Sequence, residues 1–104
     1  MFLAKVVGTV VATQKDPKLA GLKLLLVQHL SLDLEPTKSF VVAADSVGSG
    51  TGEVVVCATG SSARLTEVTD KLPVDAVIMA IVDTLEINGA IKYSKSPEAA
   101  SVKS

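Results

Sequence analysis

The sequence predicts an all-β domain, a small closed barrel of five to six strands with one short helical turn. Three observations carry this. Valine and threonine dominate the apolar segments, while glycine, proline and aspartate separate them. The segments are short, and no helix is long enough for a parallel crossover. Closing the sheet also removes the edges that such apolar strands would otherwise present to other chains.

Taken in order, the first segment, LAKVVGTVVAT from Leu3 to Thr13, puts Ala4, Val6, Gly8, Val10 and Ala12 on one face. Leu3, Lys5, Val7, Thr9, Val11 and Thr13 fall on the other. A uniformly small apolar face opposite a mixed one fits a strand with a tightly packed inner side and a partly buried outer side. The loop QKDPKLAG follows, with Pro17 and Gly21 as turn formers. A second strand runs from Leu22 to Leu30 and gives way to an irregular connection containing Pro36. The third and fourth strands, Phe40 to Asp45 and Glu53 to Thr59, flank the glycine-rich stretch between them.

GSSARLTE, from Gly60 to Glu67, offers Ser61 or Ser62 as the N-cap of one helical turn. VTDKLP is a second loop, stopped by Pro73. A long fifth strand is expected from Ala76 to Ile87, turned by Asn88-Gly89 into a short sixth strand, AIKYS. Asn-Gly at that place is the strongest short-range hairpin signal, because both residues tolerate positive φ. The barrel domain is therefore read as residues 1–95. Residues 96–104, SPEAASVKS, are small and polar and read as a flexible tail.

With 104 residues, the chain is one domain that buries roughly 60–68% of its unfolded surface. Apolar residues make up 48% and charged ones 20%, more hydrophobic surface than one compact core of this size needs. An oligomer that buries the excess is favoured over a ligand cavity, since cavities want aromatic lining and aromatics are 3% of the chain. Net charge is −1, so there is no electrostatic footprint for nucleic acid. The longest apolar run, Ala76 to Val82, is strand-sized and too short to span a membrane. The apolar start, MFLAKVVGTVV, is interrupted by Lys5 and followed by no cleavage site, unlike a signal peptide. One cysteine, Cys57, forms no intrachain disulfide and fits a reducing, cytosolic setting.

Between Asp45 and Arg64 the chain reads DSVGSGTGEVVVCATGSSAR, which looks at first like a phosphate-binding loop. The dinucleotide fingerprint needs G-x-G-x-x-G leading into a helix. Gly48, Gly50 and Gly52 give G-x-G-x-G leading into a strand. A P-loop needs lysine after its last glycine, whereas Glu53 stands there and would repel phosphate. The glycines are better explained by positive φ or by close approach of another backbone.

Other chemistry is equally thin. His29 is the only histidine and has no spaced partner for a metal, so packing in the core or an interface is its expected role. Cys57 lies in valine-rich sequence with no basic neighbour to lower its pKa, which marks a small buried hydrophobe. Asp45, Glu53, Asp75 and Asp83 could supply a carboxylate pair, but each stands near a strand end, where caps and salt bridges are ordinary. No nucleophile, base and orienter assemble, and no cofactor or metal site is expected. A binding barrel for oligonucleotides would want exposed aromatics over a basic groove; Phe2, Phe40 and Tyr93 are the only aromatics, and basic residues do not cluster.

These residues resemble those of the EutN/CcmL family of bacterial microcompartment vertex proteins. The resemblance runs in order through MFLAKVVGTVVAT, GLKLLLVQ, DSVGSGTGE, GSSAR and PVDAVIMAIVDT, from about Met1 to Tyr93. Its most specific pieces are D-x-V-G-x-G-x-G-E at Asp45 to Glu53 and G-S-S-A-R at Gly60 to Arg64, both complete. The resemblance implies an OB-like barrel that assembles in fives and plugs the corners of a polyhedral shell in the cytoplasm. It implies a structural role beside hexameric shell proteins, with no enzymatic activity, nucleic acid or membrane partner. Some members of that family form hexamers, which makes a ring of six the alternative assembly.

Within that implication, Gly48, Ser49 and Gly50 are expected to approach the five-fold axis or the adjacent subunit and rim a narrow opening. Arg64 is expected to pair with Asp45 or Glu53, fixing the loop or crossing the interface. The competing reading is an OB-like module for a small ligand, an oligonucleotide or a peptide. An enzymatic reading would need a site between subunits, for example around His29 and a neighbour's carboxylate.

Overall fold

The computed structural model describes residues 1–67, 69 and 74–95. Five strands close into a barrel: β1 (Phe2–Val10), β2 (Leu24–Leu30), β3 (Pro36–Asp45), β4 (Val54–Thr59) and β5 (Ala76–Ile81). Their order around the barrel is β1-β2-β3-β5-β4. A hairpin of β6 (Thr84–Ile87) and β7 (Ala90–Ser94) forms a second, two-stranded sheet outside the barrel. Residues 96–104 and Pro73, expected as the tail and as the stop of the second loop, lie outside the described residues.

The alternation read in the first segment sets the core. Ala4 and Val6 are fully buried, while Lys5 and Val7, the residues that follow each, face out. Leu25 and Val27 of β2, Ala43 of β3, Val55 and Cys57 of β4 and Ile78 of β5 complete one continuous apolar centre. Each fully buried valine, leucine or isoleucine contributes roughly 1.5–3 kcal/mol relative to exposure. A smaller cluster of Ala44, Ala58, Ala63 and Val77 lies beneath the turn that follows β4.

Closure depends on one short parallel pair. β3 meets β5 through Ala44↔Val77 and Asp45↔Ile78, and all other barrel pairs are antiparallel. The Ser46 hydroxyl donates to the Ile78 carbonyl at 2.6 Å and carries the seam one residue beyond the ladder. Among the described residues, the crossover from β3 to β5 runs through the glycine loop, β4 and a 3-10 turn.

Several expected boundaries move, each for a local reason. β1 ends at Val10, not Thr13, because its partner begins at Leu24, opposite Val10. β3 starts at Pro36, not Phe40: proline is tolerated as the first residue of a strand, and Leu30 pairs with it. Thr37 strengthens this extension, its hydroxyl donating to the His29 carbonyl at 2.9 Å.

The expected long fifth strand is two strands. The Val82 amide donates to the Val54 carbonyl, the last available group on β4, and past that point β5 has no neighbour to pair with. The chain turns out of the barrel at Asp83 and enters the hairpin. Asn88 and Gly89 occupy the turn with φ of 52° and 79°, as the Asn-Gly signal requires.

Among the described residues, two 3-10 turns replace the single expected one. Pro17–Leu19 forms the first, capped by Asp16, whose carboxylate accepts the Lys18 amide at 2.8 Å. Gly60–Arg64 forms the second, but its N-cap is Thr59, without a side-chain bond, and neither Ser61 nor Ser62 caps it. Gly60, at φ 65°, turns the chain off β4 so abruptly that the helical turn begins before either serine is reached.

Candidate functional site in the glycine loop

The loop from Ser46 to Glu53 joins the end of β3 to the start of β4, and it is braced at both ends by a carboxylate. Asp45 closes β3. Its Oδ1 accepts the Ser49 hydroxyl at 2.9 Å and the Val47 amide at 3.2 Å. Lys23, the residue just before β2, caps the arrangement, with Nζ 2.8 Å from the Ser49 carbonyl and 3.6 Å from Asp45 Oδ2. The Ser49 side chain is fully buried and that of Asp45 is 2% exposed. Burial pushes the Asp45 carboxyl up, but the Ser49 hydroxyl, the Val47 and Ser49 amides and the Lys23 ammonium outweigh it and hold it below the usual aspartate range.

Glu53 braces the other end. Its Oε1 accepts the Gly50 amide at 2.7 Å and its Oε2 accepts Lys95 Nζ at 2.8 Å. The Lys95 ammonium and the Gly50 amide lower the Glu53 pKa, and the same contact raises that of Lys95. Lys95 closes the hairpin, where its amide also donates to the Asp83 carbonyl. One carboxylate thus ties the glycine loop to the base of the hairpin.

This wiring removes the loop from nucleotide chemistry. The amides of Val47, Ser49, Gly50 and Gly52 all point to acceptors within the chain, the last to the Val6 carbonyl at 2.8 Å. A phosphate cradle needs those groups free and turned toward the ligand. Gly48 and Gly52 have φ of 77° and 93°, the conformation that glycine adopts without strain. Gly50 has no such φ, and a Cβ there would meet only Glu53 Oε1, at 3.7 Å.

Asp45, Glu53, Gly48, Ser49 and Gly50 are brought together in the one loop, whereas Arg64 stands exposed on the second 3-10 turn. Asp45 and Glu53 pair with Lys23 and Lys95. His29 stacks on the Phe2 ring, centroids 3.9 Å apart and planes 7° from parallel. Cys57 lies in the barrel core, where burial pushes its thiol up to about 12 and leaves it a weak nucleophile. Among the described residues no group of three or more histidine, cysteine or acidic side chains is placed to hold a metal. Lys23 and Lys95 were not found from the sequence, because their partners lie 22 and 42 residues away with no local pattern to announce them.

Comparison with known proteins supplies the context for this arrangement. The family model EutN_CcmL, described as "Ethanolamine utilisation protein EutN/carboxysome", matches residues 1–83. The carboxysome shell vertex protein CcmL of Synechocystis sp. is 45% identical over 95 residues, covering 91% of this chain and 95% of the relative. The solved structure of Gloeobacter violaceus CcmL superimposes with a TM-score of 0.88 at 42% identity, covering 91% of this chain and 98% of that one. GrpN from Rhodospirillum rubrum, a pentameric microcompartment shell protein, superimposes with a TM-score of 0.74 at 46% identity over 84% of this chain and 98% of its own.

Proposed function

The chain belongs to the EutN/CcmL family, and on that premise we propose that five copies form a ring that closes the corners of a bacterial microcompartment shell. The role is structural and not enzymatic, and its place is the shell, within the cytoplasm. The carrying observation is a match across nearly the whole described chain to relatives named as shell vertex proteins, one of them a pentamer. The barrel is consistent with this: its core is filled with side chains, its carboxylates serve the loop, and its surplus apolar surface faces out.

The finer reading concerns neighbours and the ring's centre. Flat sheets of six-fold units do not close by themselves, and five-fold units at the corners supply the missing curvature. The ring is therefore proposed to sit among hexameric shell proteins. Gly48 and Gly50 are proposed to bring their backbones to the five-fold axis, with the buried Ser49 anchoring the loop beneath them. Arg64, exposed on its turn, is proposed to face the adjacent subunit.

The test is shell assembly from purified parts. Hexameric shell proteins are mixed with or without this chain and imaged by electron microscopy. Closed polyhedra should appear only when the chain is present. Open sheets or tubes in both mixtures would overturn the proposal.

A further inference from the structure

The two carboxylates that brace the glycine loop hold it unequally. The Asp45 side chain, at the β3 end, is 2% exposed, and the Ser49 hydroxyl, the Val47 amide and the Lys23 ammonium engage its oxygens. The Glu53 side chain, at the β4 end, is 23% exposed; Oε1 accepts the Gly50 amide at 2.7 Å and Oε2 accepts Lys95 Nζ at 2.8 Å. Past the buried Ser49, the chain from Gly50 to Gly52 has weaker support. The Glu53 amide reaches the Gly50 carbonyl at 3.2 Å, the long limit for such a bond, and the Gly52 amide donates to the Val6 carbonyl. Thr51 and Gly52 are exposed.

A glutamate held by one amide alone can rotate into water, because keeping it in place costs the freedom of its side-chain bonds. Lys95 fixes it from outside. The lysine is itself placed by backbone: its amide donates to the Asp83 carbonyl at 2.8 Å. The Val82 amide, next to Asp83, donates to the carbonyl of Val54, the residue after Glu53. The end of the hairpin and the start of β4 are thus set in register, and the two side chains meet across that register.

We infer that Lys95 is a positioning residue for the glycine loop. By holding Oε2 it orients the carboxylate whose Oε1 clamps the Gly50 amide, so the end of the hairpin sets the conformation of Gly50, Thr51 and Gly52. The coupling lies within one chain. Its consequence for the ring rests on the proposed placement of Gly48 and Gly50 at the five-fold axis: there a shift of the hairpin is transmitted to the rim of the opening, while Asp45 keeps the Ser49 end still.

Lys95 faces Glu53 from the hairpin, with Asp83 and Tyr93 acting on the lysine, and Asp45 acts on Glu53 from the other end of the loop. Lys5 of β1 is the Cα partner of Val54. The Lys95 ammonium is the largest cause that lowers the Glu53 pKa, and the Gly50 amide is the next. The clamp is therefore complete at neutral pH and is lost as pH falls through the depressed folded value.

The test follows the Gly50 amide of the isotope-labelled full-length chain by nuclear magnetic resonance as pH is lowered, with hydrogen exchange measured at neutral pH. Its proton shift should titrate with Glu53 in the parent protein and not in Glu53→Gln. In Lys95→Met the midpoint should rise toward the ordinary glutamate value. Exchange at Gly50 should quicken there by up to about five-fold, the range of an exposed ion pair. Lys95→Arg should restore both. The Val47 amide, held by Asp45, should exchange at the parent rate in every variant. An unchanged Gly50 midpoint and rate in Lys95→Met, no rescue by Lys95→Arg, continued titration in Glu53→Gln, or equal quickening of Val47 would each overturn the coupling. Native mass spectrometry of the same samples tests the ring separately: a mass other than five chains would remove the consequence at the axis and leave the coupling within the chain standing.

Discussion

The Ser49 hydroxyl sits 2.9 Å from Oδ1 of Asp45, with both side chains sealed from water. This bond turns the glycine loop inward and makes it a brace between two barrel strands. An aspartate at that depth is stable only when its oxygens are satisfied, and here a hydroxyl, two amides and an ammonium satisfy it.

Removing the hydroxyl should therefore be costly out of proportion to its size. Ser49→Ala leaves a buried carboxylate oxygen one donor short, a loss of roughly 1–3 kcal/mol. Urea unfolding should show a lower midpoint with an unchanged slope. An unchanged midpoint would mean that water replaces the hydroxyl freely.

Acid should act through the same group. The folded pKa of Asp45 is depressed, so its contribution is fully present above the unfolded value of about 4 and is lost as pH falls through the folded value. Urea midpoints measured from neutral pH downward should hold steady until about pH 4 and then drop. Asp45→Asn should start lower at neutral pH and show a shallower fall. Parallel curves for the two proteins would assign the acid response to other groups.

The glycines separate folding from assembly. Gly48→Ala places a Cβ in open space but at φ 77°, so backbone strain alone should destabilise the chain by about 1–2 kcal/mol. Gly50 has ordinary φ and room for a Cβ within its own chain. Gly50→Val should then keep the far-ultraviolet circular dichroism of the barrel while losing the ring in size-exclusion chromatography. A Gly50→Val ring as stable as the parent would remove this loop from the axis.

Cys57 should be silent in the native protein. Its thiol is pushed up to about 12 by burial alone, so little thiolate exists at neutral pH. A chromogenic disulfide reagent should react with it only after urea is added. Rapid reaction of the folded chain would mean that the barrel opens far more readily than its core packing indicates.

What the sequence made legible was local. The alternation of Ala4, Lys5, Val6 and Val7 placed the inner face of β1, and Asn88-Gly89 placed the hairpin turn. The end of β5 was harder, because Val82 to Ile87 contains no glycine or proline to mark a break, and it is the start of β4 at Val54 that leaves the strand without a neighbour. A weak cue was present: residues are continuously apolar over Ala76–Val82 and alternate polar and apolar over Thr84–Ile87, the difference between a strand covered on both faces and one covered on one. The partners of Asp45 and Glu53 were illegible for a different reason. Lys23 and Lys95 reach them through the closure of the barrel, and that geometry exists only after folding.

The central claim is that this chain closes on itself in fives. Native mass spectrometry of the purified full-length protein at micromolar concentration tests it most directly. The account predicts one dominant species of five chains. A persistent monomer, or a ring of six, would contradict it.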